Sequence, residues 1–293
     1  MKSSIELIRL FAVILIVFTH TRNDLESGTF YFFIEELPTF GTAILSIISG
    51  YLYYTVSRTK SDLFKKKIKS LAIPYLIANI SVLFLVLFFN YILGYNALNR
   101  LDFNFELISN GVFALNAEPI NPPTYFVRDI FLMFSFIALI TQKEWRALLV
   151  LIPFIYFGKF ILRYDVAILF LLGILYARFH MRVSKNSLLV LLGVVSVLVG
   201  IWAVEYLKYP VAFFFFILFL DIPFRLYKTG RFSYLLHLYH APLIVILYPI
   251  LEKWIFNPYL LIFAQIFLSI FIVYLFYLVT KSNSKFKILS GGR

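Results

Sequence analysis

Long runs of apolar residues recur along the whole chain and are separated by short polar segments. Ten runs are long enough to span, or nearly span, a bilayer as a helix, because a span needs about 20 apolar residues. They cover residues 5–21, 40–56, 71–95, 125–141, 145–162, 166–179, 188–207, 211–220, 234–251 and 259–280. The sixth and eighth are short, and the seventh could merge with the eighth around Pro210. The pattern predicts an all-α, polytopic integral membrane protein of about ten transmembrane helices.

Composition places the chain in the same class. Of its 293 residues, 61% are hydrophobic and 14% are charged, a balance outside the range of soluble domains. We therefore predict one membrane-embedded domain over residues 1–293, without a separate soluble domain. No small-residue cleavage site follows the first run, so we expect it to remain as the first helix. Cysteine is absent, which excludes disulfides, thiolate metal sites and a cysteine-bound acyl intermediate.

The basic residues are distributed unevenly between the two sides of the predicted bundle. If the N-terminus is cytoplasmic, the inner segments hold all of the 27 basic residues except Arg22, Arg100, Arg128, Lys159, Arg163, Lys208 and Lys253. An excess of Lys and Arg in cytoplasmic loops is typical of membrane proteins, so both termini are predicted to be cytoplasmic. The net charge of +12 is divided among separate loops, and it therefore does not indicate a nucleic-acid partner.

Two ionisable side chains, Arg9 and His20, lie within the first apolar run. Eleven positions separate them, so on a helix they differ by about 20° in direction and lie about 16 Å apart along the axis. Glu6 joins the same face, three residues before Arg9. Taken singly, Arg9 could snorkel to the interface and His20 could mark the end of the span. Together they indicate a site, because ionisable groups in membrane segments are costly and usually line an interior path.

Two of the predicted connections carry further information. The inner loop FKKKIKS contains Lys65, Lys66 and Lys67. It is either a topology anchor beside anionic lipid or a phosphate-binding rim for a ligand such as a nucleotide or coenzyme A. The outer connection, residues 96–124, is the longest and mixes aromatic residues with Asn and Pro. It is predicted to form a lid or a partly re-entrant segment over an outer cavity.

Arg128 and Asp129 lie about one turn inside the outer end of the predicted fourth helix. Neighbouring residues on a helix point about 100° apart, so these two need not pair with each other. They could form an interfacial anchor with a helix–helix ion pair, or they could lie near His20 in the outer half of the membrane. Asp165, with Arg163 nearby, is a weaker candidate on the same side.

His237 and His240 share one face of the predicted ninth helix. They could be a buried, hydrogen-bonded pair or metal ligands. No third ligand has a suitable spacing, so we predict no metal site. The sequence contains no Walker loop, GxSxG elbow or HExxH motif, which excludes the simplest ATPase, serine hydrolase and zinc protease interpretations.

Several segments, in their order along the chain, resemble the acyltransferase-3 family of integral membrane acyltransferases. ELIRLFAVILIVFTH is similar to the family's opening helix, in which arginine and histidine are separated by ten residues, here Arg9 and His20. SIISGYLYY resembles the second-helix ISGY segment and is followed by the basic FKKKIKSLAIPYLI. PTYFVRDIF has Tyr125 where the family usually has tryptophan. LFLLGILYARF and FSYLLHLYHAPL resemble later segments; His240 matches the usual histidine before proline, and His237 replaces a frequent tyrosine.

The resemblance implies acyl transfer, commonly of acetyl from acetyl-CoA, to a hydroxyl of an envelope glycan or lipid-linked sugar. It implies a multi-pass protein of the bacterial inner membrane, surrounded by lipid, in which acyl-CoA is a donor substrate and no cofactor is permanently bound. A homo-oligomer is compatible with it.

We hypothesise that Arg9 and Lys65 to Lys67 hold the donor phosphates. His20 would act as general base, since an unperturbed pKa of ~6.5 suits that role near neutrality. Glu6 would orient Arg9, and Arg128 would position the acceptor or stabilise the oxyanion. A covalent acyl-histidine intermediate and direct transfer both remain open.

The rival interpretation is a multispan transporter or flippase for a lipid-linked sugar, with Arg9, Arg128 and the histidines along its route. An inverted repeat would favour it, but the two halves of the sequence show no convincing duplication. A membrane scaffold is a third interpretation.

Overall fold

The computed structural model describes residues 3–94, 104–139, 146, 161–179, 182–223 and 228–292, and this part of the chain contains helices but no strand. The prediction of an all-α fold is confirmed. The main helices are α1 (Ser3–Phe18), α2 (Thr29–Ser57), α3 (Leu63–Tyr91), α4 (Pro122–Leu139), α5 (Tyr164–Phe179), α6 (Lys185–Trp202), α7 (Lys208–Leu220), α8 (Gly230–Leu251) and α9 (Pro258–Ser282). A short helix, Phe105–Ser109, precedes α4, and a 3₁₀ segment, Ser284–Ser290, follows α9.

Six of these helices are long and apolar enough to cross a membrane, namely α2, α3, α4, α6, α8 and α9. The others are shorter: α1 and α5 have 16 residues each and α7 has 13. The predicted span over residues 145–162 lies almost wholly outside the described residues, as does the first part of the outer connection. The count of ten spans and the cytoplasmic termini stay predictions.

The seventh and eighth predicted spans are separate helices. A turn that includes the 3₁₀ segment Val204–Tyr206 divides α6 from α7. The break begins at Ala203, whose backbone leaves the helical region with φ −155° and ψ 61°. Pro210 falls within the first turn of α7, where a missing backbone N–H does not interrupt the helix.

The centre of the bundle depends on backbone contact at two glycines. A Cβ atom at Gly50 in α2 would lie 1.8 Å from the carbonyl oxygen of Phe170 in α5. A Cβ atom at Gly173 in α5 would lie 2.2 Å from the carbonyl oxygen of Ile47 in α2. Small residues let membrane helices approach this closely. At the periphery, every residue of α6 is at least partly exposed, as expected of an apolar helix that faces lipid.

The ends of the helices form two faces, which we call the N-terminal face and the opposite face. At the N-terminal face the start of α1 meets the residue before α8. The Thr229 hydroxyl donates to Glu6 Oε2 there, at 3.3 Å. At the opposite face the segment after α1 meets α9, because Gln265 bonds the backbone of Arg22. Each face has an interior cavity beneath it.

Candidate functional site

In the part of the chain that the structure describes, an interior cavity lies toward each face of the bundle. The N-terminal cavity has a volume of about 120 Å³ and is lined by Arg9, Lys67, Phe126, Phe134 and His237, among others. The His20 cavity has a volume of about 210 Å³, and its lining includes His20, Tyr125, Arg163, Asp165, Lys208 and His237. His237 lines both cavities, so both border α8 at this residue. Arg9 lies in α1, whereas His20, predicted to lie on the same helix, follows its last residue, Phe18. The two residues contribute to different cavities.

Arg9 pairs with Glu6 of α1, and the start of α8 packs against this pair. Its Nη1 lies 3.4 Å from Oε1 of Glu6, one turn earlier on the same helix. The Thr229 hydroxyl contacts the same carboxylate. Gly230 leaves the space that this arrangement needs, because a Cβ there would lie 3.0 Å from Glu6 Oε2 and 3.1 Å from Arg9 Nη1. The beginning of α8 therefore fixes Arg9 beside the cavity.

The basic run FKKKIKS, which was predicted to be an inner loop, is helical and lies within the first turns of α3. Its three lysines have different positions. Lys67 lines the N-terminal cavity, and its Nζ lies 3.5 Å from the centroid of the Phe134 ring, a distance typical of a cation–π contact. Lys65 and Lys66 are exposed, and Lys66 Nζ donates to the Ser61 carbonyl at 2.9 Å. Of the three, the structure brings only Lys67 together with Arg9.

Three histidines form one cluster between the cavities. His20 follows the end of α1, and its ring centroid lies 5.2 Å from that of His240 in α8. The rings of His237 and His240 lie 6.4 Å apart, and Phe126 meets His237 edge-on at 5.6 Å. His240 is completely buried and His237 nearly so. Within the described residues, no group of three or more His, Cys, Asp or Glu side chains is placed to hold a metal ion.

Arg128 and Asp129 pair with each other instead of facing His20. Arg128 Nη1 lies 2.8 Å from Asp129 Oδ1, because a buried carboxylate requires a nearby countercharge. Asp129 also accepts hydrogen bonds from the backbone N–H groups of Leu162, at 3.3 Å, and Arg163, at 3.0 Å. Neither residue is part of the lining of the N-terminal cavity or of the His20 cavity. Asp129 instead anchors the segment that enters α5.

Arg163 and Asp165, the weaker candidates in the sequence, line the same cavity as His20. Their side chains form an ion pair at 3.6 Å, and the Arg163 guanidinium lies 5.5 Å from the centroid of the Tyr125 ring. Burial opposes the charge on Arg163, but Tyr125, Asp165 and Glu118 nearby raise the pKa of its guanidinium above its ordinary value. Arg163 therefore remains a cation at this cavity.

Gln265 is a candidate positioning residue that the sequence analysis did not identify. It is completely buried in α9. Its Oε1 accepts from the N–H of Arg22 and its Nε2 donates to the carbonyl of Arg22, both at 2.8 Å. These bonds fix the peptide groups two residues after His20. A single amide in an otherwise apolar membrane helix is the signal that could have revealed it.

An apolar helical bundle with an ionisable cluster between two interior cavities defines an integral membrane protein with an internal polar site. A sequence model of the acyltransferase-3 family, described as an acyltransferase domain, matches residues 2–279. The chain belongs to this family and is a membrane acyltransferase, so the resemblance seen in its motifs is confirmed. Comparisons with curated proteins and with solved structures gave no match.

Proposed function

We propose that the protein transfers an acetyl group from cytoplasmic acetyl-CoA to a hydroxyl of an envelope glycan or lipid-linked sugar at the opposite face of the bacterial inner membrane. The observation that carries this proposal is the position of His237, which lines both cavities. A donor bound on one side and an acceptor bound on the other can then meet inside the bundle.

The N-terminal cavity suits the donor. Arg9 and Lys67 place two cations beside apolar walls that include Ile130 and Phe134. Charge-assisted hydrogen bonds to phosphate account for the cations, and the apolar walls suit the less polar thioester arm of coenzyme A. Lys65 and Lys66 lie outside the cavity on the exposed surface at the start of α3, where they attract an anionic donor at longer range.

The His20 cavity suits the acceptor. His20 takes the proton of the acceptor hydroxyl as general base. The hydroxyl oxygen forms the new ester C–O bond while the thioester C–S bond breaks, and the departing thiolate takes up a proton to become free coenzyme A. Arg163 replaces Arg128 as the cation that positions the acceptor, because Arg163 lines this cavity and Arg128 is paired with Asp129.

The protein reconstituted in vesicles with labelled acetyl-CoA and a pool of envelope glycans tests the proposal. We expect His20→Ala to lower kcat by about 10²- to 10⁴-fold, the usual contribution of a general base, with the KM for acetyl-CoA unchanged. Ser196→Ala on lipid-facing α6 is the matched control and should behave as wild type. Unchanged acetylation in a folded His20→Ala protein would exclude His20 as the base.

A transporter or flippase for a lipid-linked sugar is the second candidate, because cavities toward opposite faces also describe a permeation route. Glycan movement across the vesicle membrane in the absence of any acyl donor would favour it. Acetylated product that depends on His20 would favour the enzyme.

A further inference from the structure

The surroundings of His240 determine which of its nitrogens carries a proton. Its Nδ1 lies 2.7 Å from the carbonyl oxygen of Leu236, one turn earlier in α8. A carbonyl oxygen only accepts, so Nδ1 must be the donor. In a neutral imidazole the other nitrogen is then an acceptor. That atom, Nε2, is buried and has no hydrogen-bond partner among the described residues.

Two imidazoles face His240, from His20 and from His237. The His20 ring is nearer, with centroids 5.2 Å apart compared with 6.4 Å for His237. His20 follows the last residue of α1, Phe18, so its ring reaches His240 from a separate segment of the chain. His237 is fixed on α8 and packs edge-on against Phe126. Of the two, His20 is better placed to direct an N–H toward His240.

We propose that His240 is a positioning residue that accepts a hydrogen bond at Nε2 from His20 and thereby fixes the tautomer of the base. This inference rests on the proposed role of His20 in acyl transfer. With one nitrogen of His20 engaged as a donor, the other presents its lone pair to the acceptor hydroxyl.

The role of His240 as a hydrogen-bond acceptor does not change the proton balance of the transfer. The hydroxyl proton moves to His20, the C–O bond forms as the C–S bond breaks, and the thiolate receives a proton from His20. His240 exchanges no proton; it stabilises the imidazolium of His20, as the carboxylate of a catalytic triad does. A neutral imidazole suits the membrane interior better than a carboxylate, because no additional charge has to be buried.

Two substitutions separate this role from simple packing. In His240→Asn the amide reaches only about as far as Nδ1, so it can keep the contact with Leu236 but cannot reach His20. In His240→Gln the amide oxygen reaches the position of Nε2 and can still accept from His20. Both side chains are neutral amides. The other ionisable groups around the His20 cavity stay the same, namely Glu118, Tyr125, Arg163, Asp165, Lys208 and His237.

With acetyl-CoA as donor and isolated envelope glycan as acceptor, we expect His240→Asn to lower kcat by about 10- to 100-fold, the effect of losing one hydrogen bond to a charged group. The KM for acetyl-CoA should stay constant. The acid limb of the pH profile should shift to lower pH, because the protonated form of His20 loses its acceptor. His240→Gln should restore the pH profile and most of kcat. Equal activity in the two variants, or an unmoved profile in His240→Asn, would overturn the proposal.

Imidazole ¹⁵N NMR of the detergent-solubilised protein provides a second test that needs no acceptor. The chain has only four histidines, so the signals can be assigned with His20→Ala and His240→Asn. We expect wild-type His240 to carry its proton on Nδ1, and the His20 titration to move to lower pH in His240→Asn only. A proton on Nε2 of wild-type His240 would refute the inference whatever the activity of the variants. Loss of transfer in His20→Ala together with normal transfer in His240→Asn would refute the role of His240 and leave the proposed function in place.

Discussion

At the scale of single residues, the position of a charge relative to the cavities matters more than its place in a sequence cluster. Lys65 and Lys67 belong to the same basic run, yet Lys65 is exposed and Lys67 lines the N-terminal cavity with Arg9. The anchor and phosphate-binding interpretations of this run can therefore both apply, each to different lysines.

We expect Lys67→Ala to raise the KM for acetyl-CoA by about 10- to 100-fold, because a charge-assisted hydrogen bond is worth roughly 1.5–3 kcal/mol. Lys65→Ala is the matched control and should change the KM by less than about twofold, since exposed charges contribute little. Steady-state kinetics at low salt measure both. Equal effects of the two substitutions would show that the basic run acts only through its overall charge.

Gln265 acts on the site through the backbone of Arg22. We expect Gln265→Ala to lower kcat, because the N–H and carbonyl of Arg22, two residues after His20, lose their side-chain partners, while the KM for acetyl-CoA stays constant. A hydrogen bond contributes about 0.5–1.5 kcal/mol to stability, so the melting temperature should also fall. Ser269→Ala is the control, since the hydroxyl of buried Ser269 donates to the Ile266 carbonyl of its own helix. Wild-type kcat in Gln265→Ala would show that the bonds to Arg22 do not position His20.

At the scale of elements, two segments that resemble the family pack directly on each other. SIISGYLYY lies in α2 and LFLLGILYARF in α5, and their glycines, Gly50 and Gly173, are the points of backbone contact. The motif glycines therefore set the separation of two helices whose residues line the cavities.

We expect Gly50→Ala to destabilise the protein by about 1–3 kcal/mol or more, the usual cost of overpacking, because the added methyl group meets the Phe170 carbonyl. Gly193→Ala on α6 is the matched control: in the described part of the chain nothing lies within 4 Å of its Cβ position. Thermal unfolding in detergent, followed by tryptophan fluorescence, measures both. A Gly50→Ala protein as stable as the Gly193→Ala protein would contradict the close approach of α2 and α5.

At the scale of the whole molecule, the two faces must lie on opposite sides of the membrane for donor and acceptor to meet inside. The distribution of basic residues predicts that the N-terminal face is cytoplasmic. Because the chain has no cysteine, single cysteines can report this orientation directly.

We expect a membrane-impermeant maleimide to label Ser27→Cys and Lys253→Cys in spheroplasts, since both positions are exposed at the opposite face. Ser61→Cys and Ser282→Cys, at the N-terminal face, should be labelled only after lysis. The cysteine-free parent is the control. The reverse labelling pattern would place Arg9 and Lys67 on the wrong side for a cytoplasmic donor.

The sequence by itself determined the class of this protein. Apolar runs of this length must satisfy their backbone groups within the membrane, and a helix does so from local sequence alone. Hydropathy therefore predicts the all-α membrane fold, and the ordered motifs from Arg9 to His240 indicate the family.

Only the tertiary structure decided which polar residues meet. It placed Lys67 rather than Lys65 with Arg9, and it set Arg163 rather than Arg128 beside His20. These choices depend on the close approach of helices that are distant in sequence, such as α2 and α5. That approach is set by backbone contacts such as Gly50 to Phe170, which the spacing of residues within a single helix does not specify.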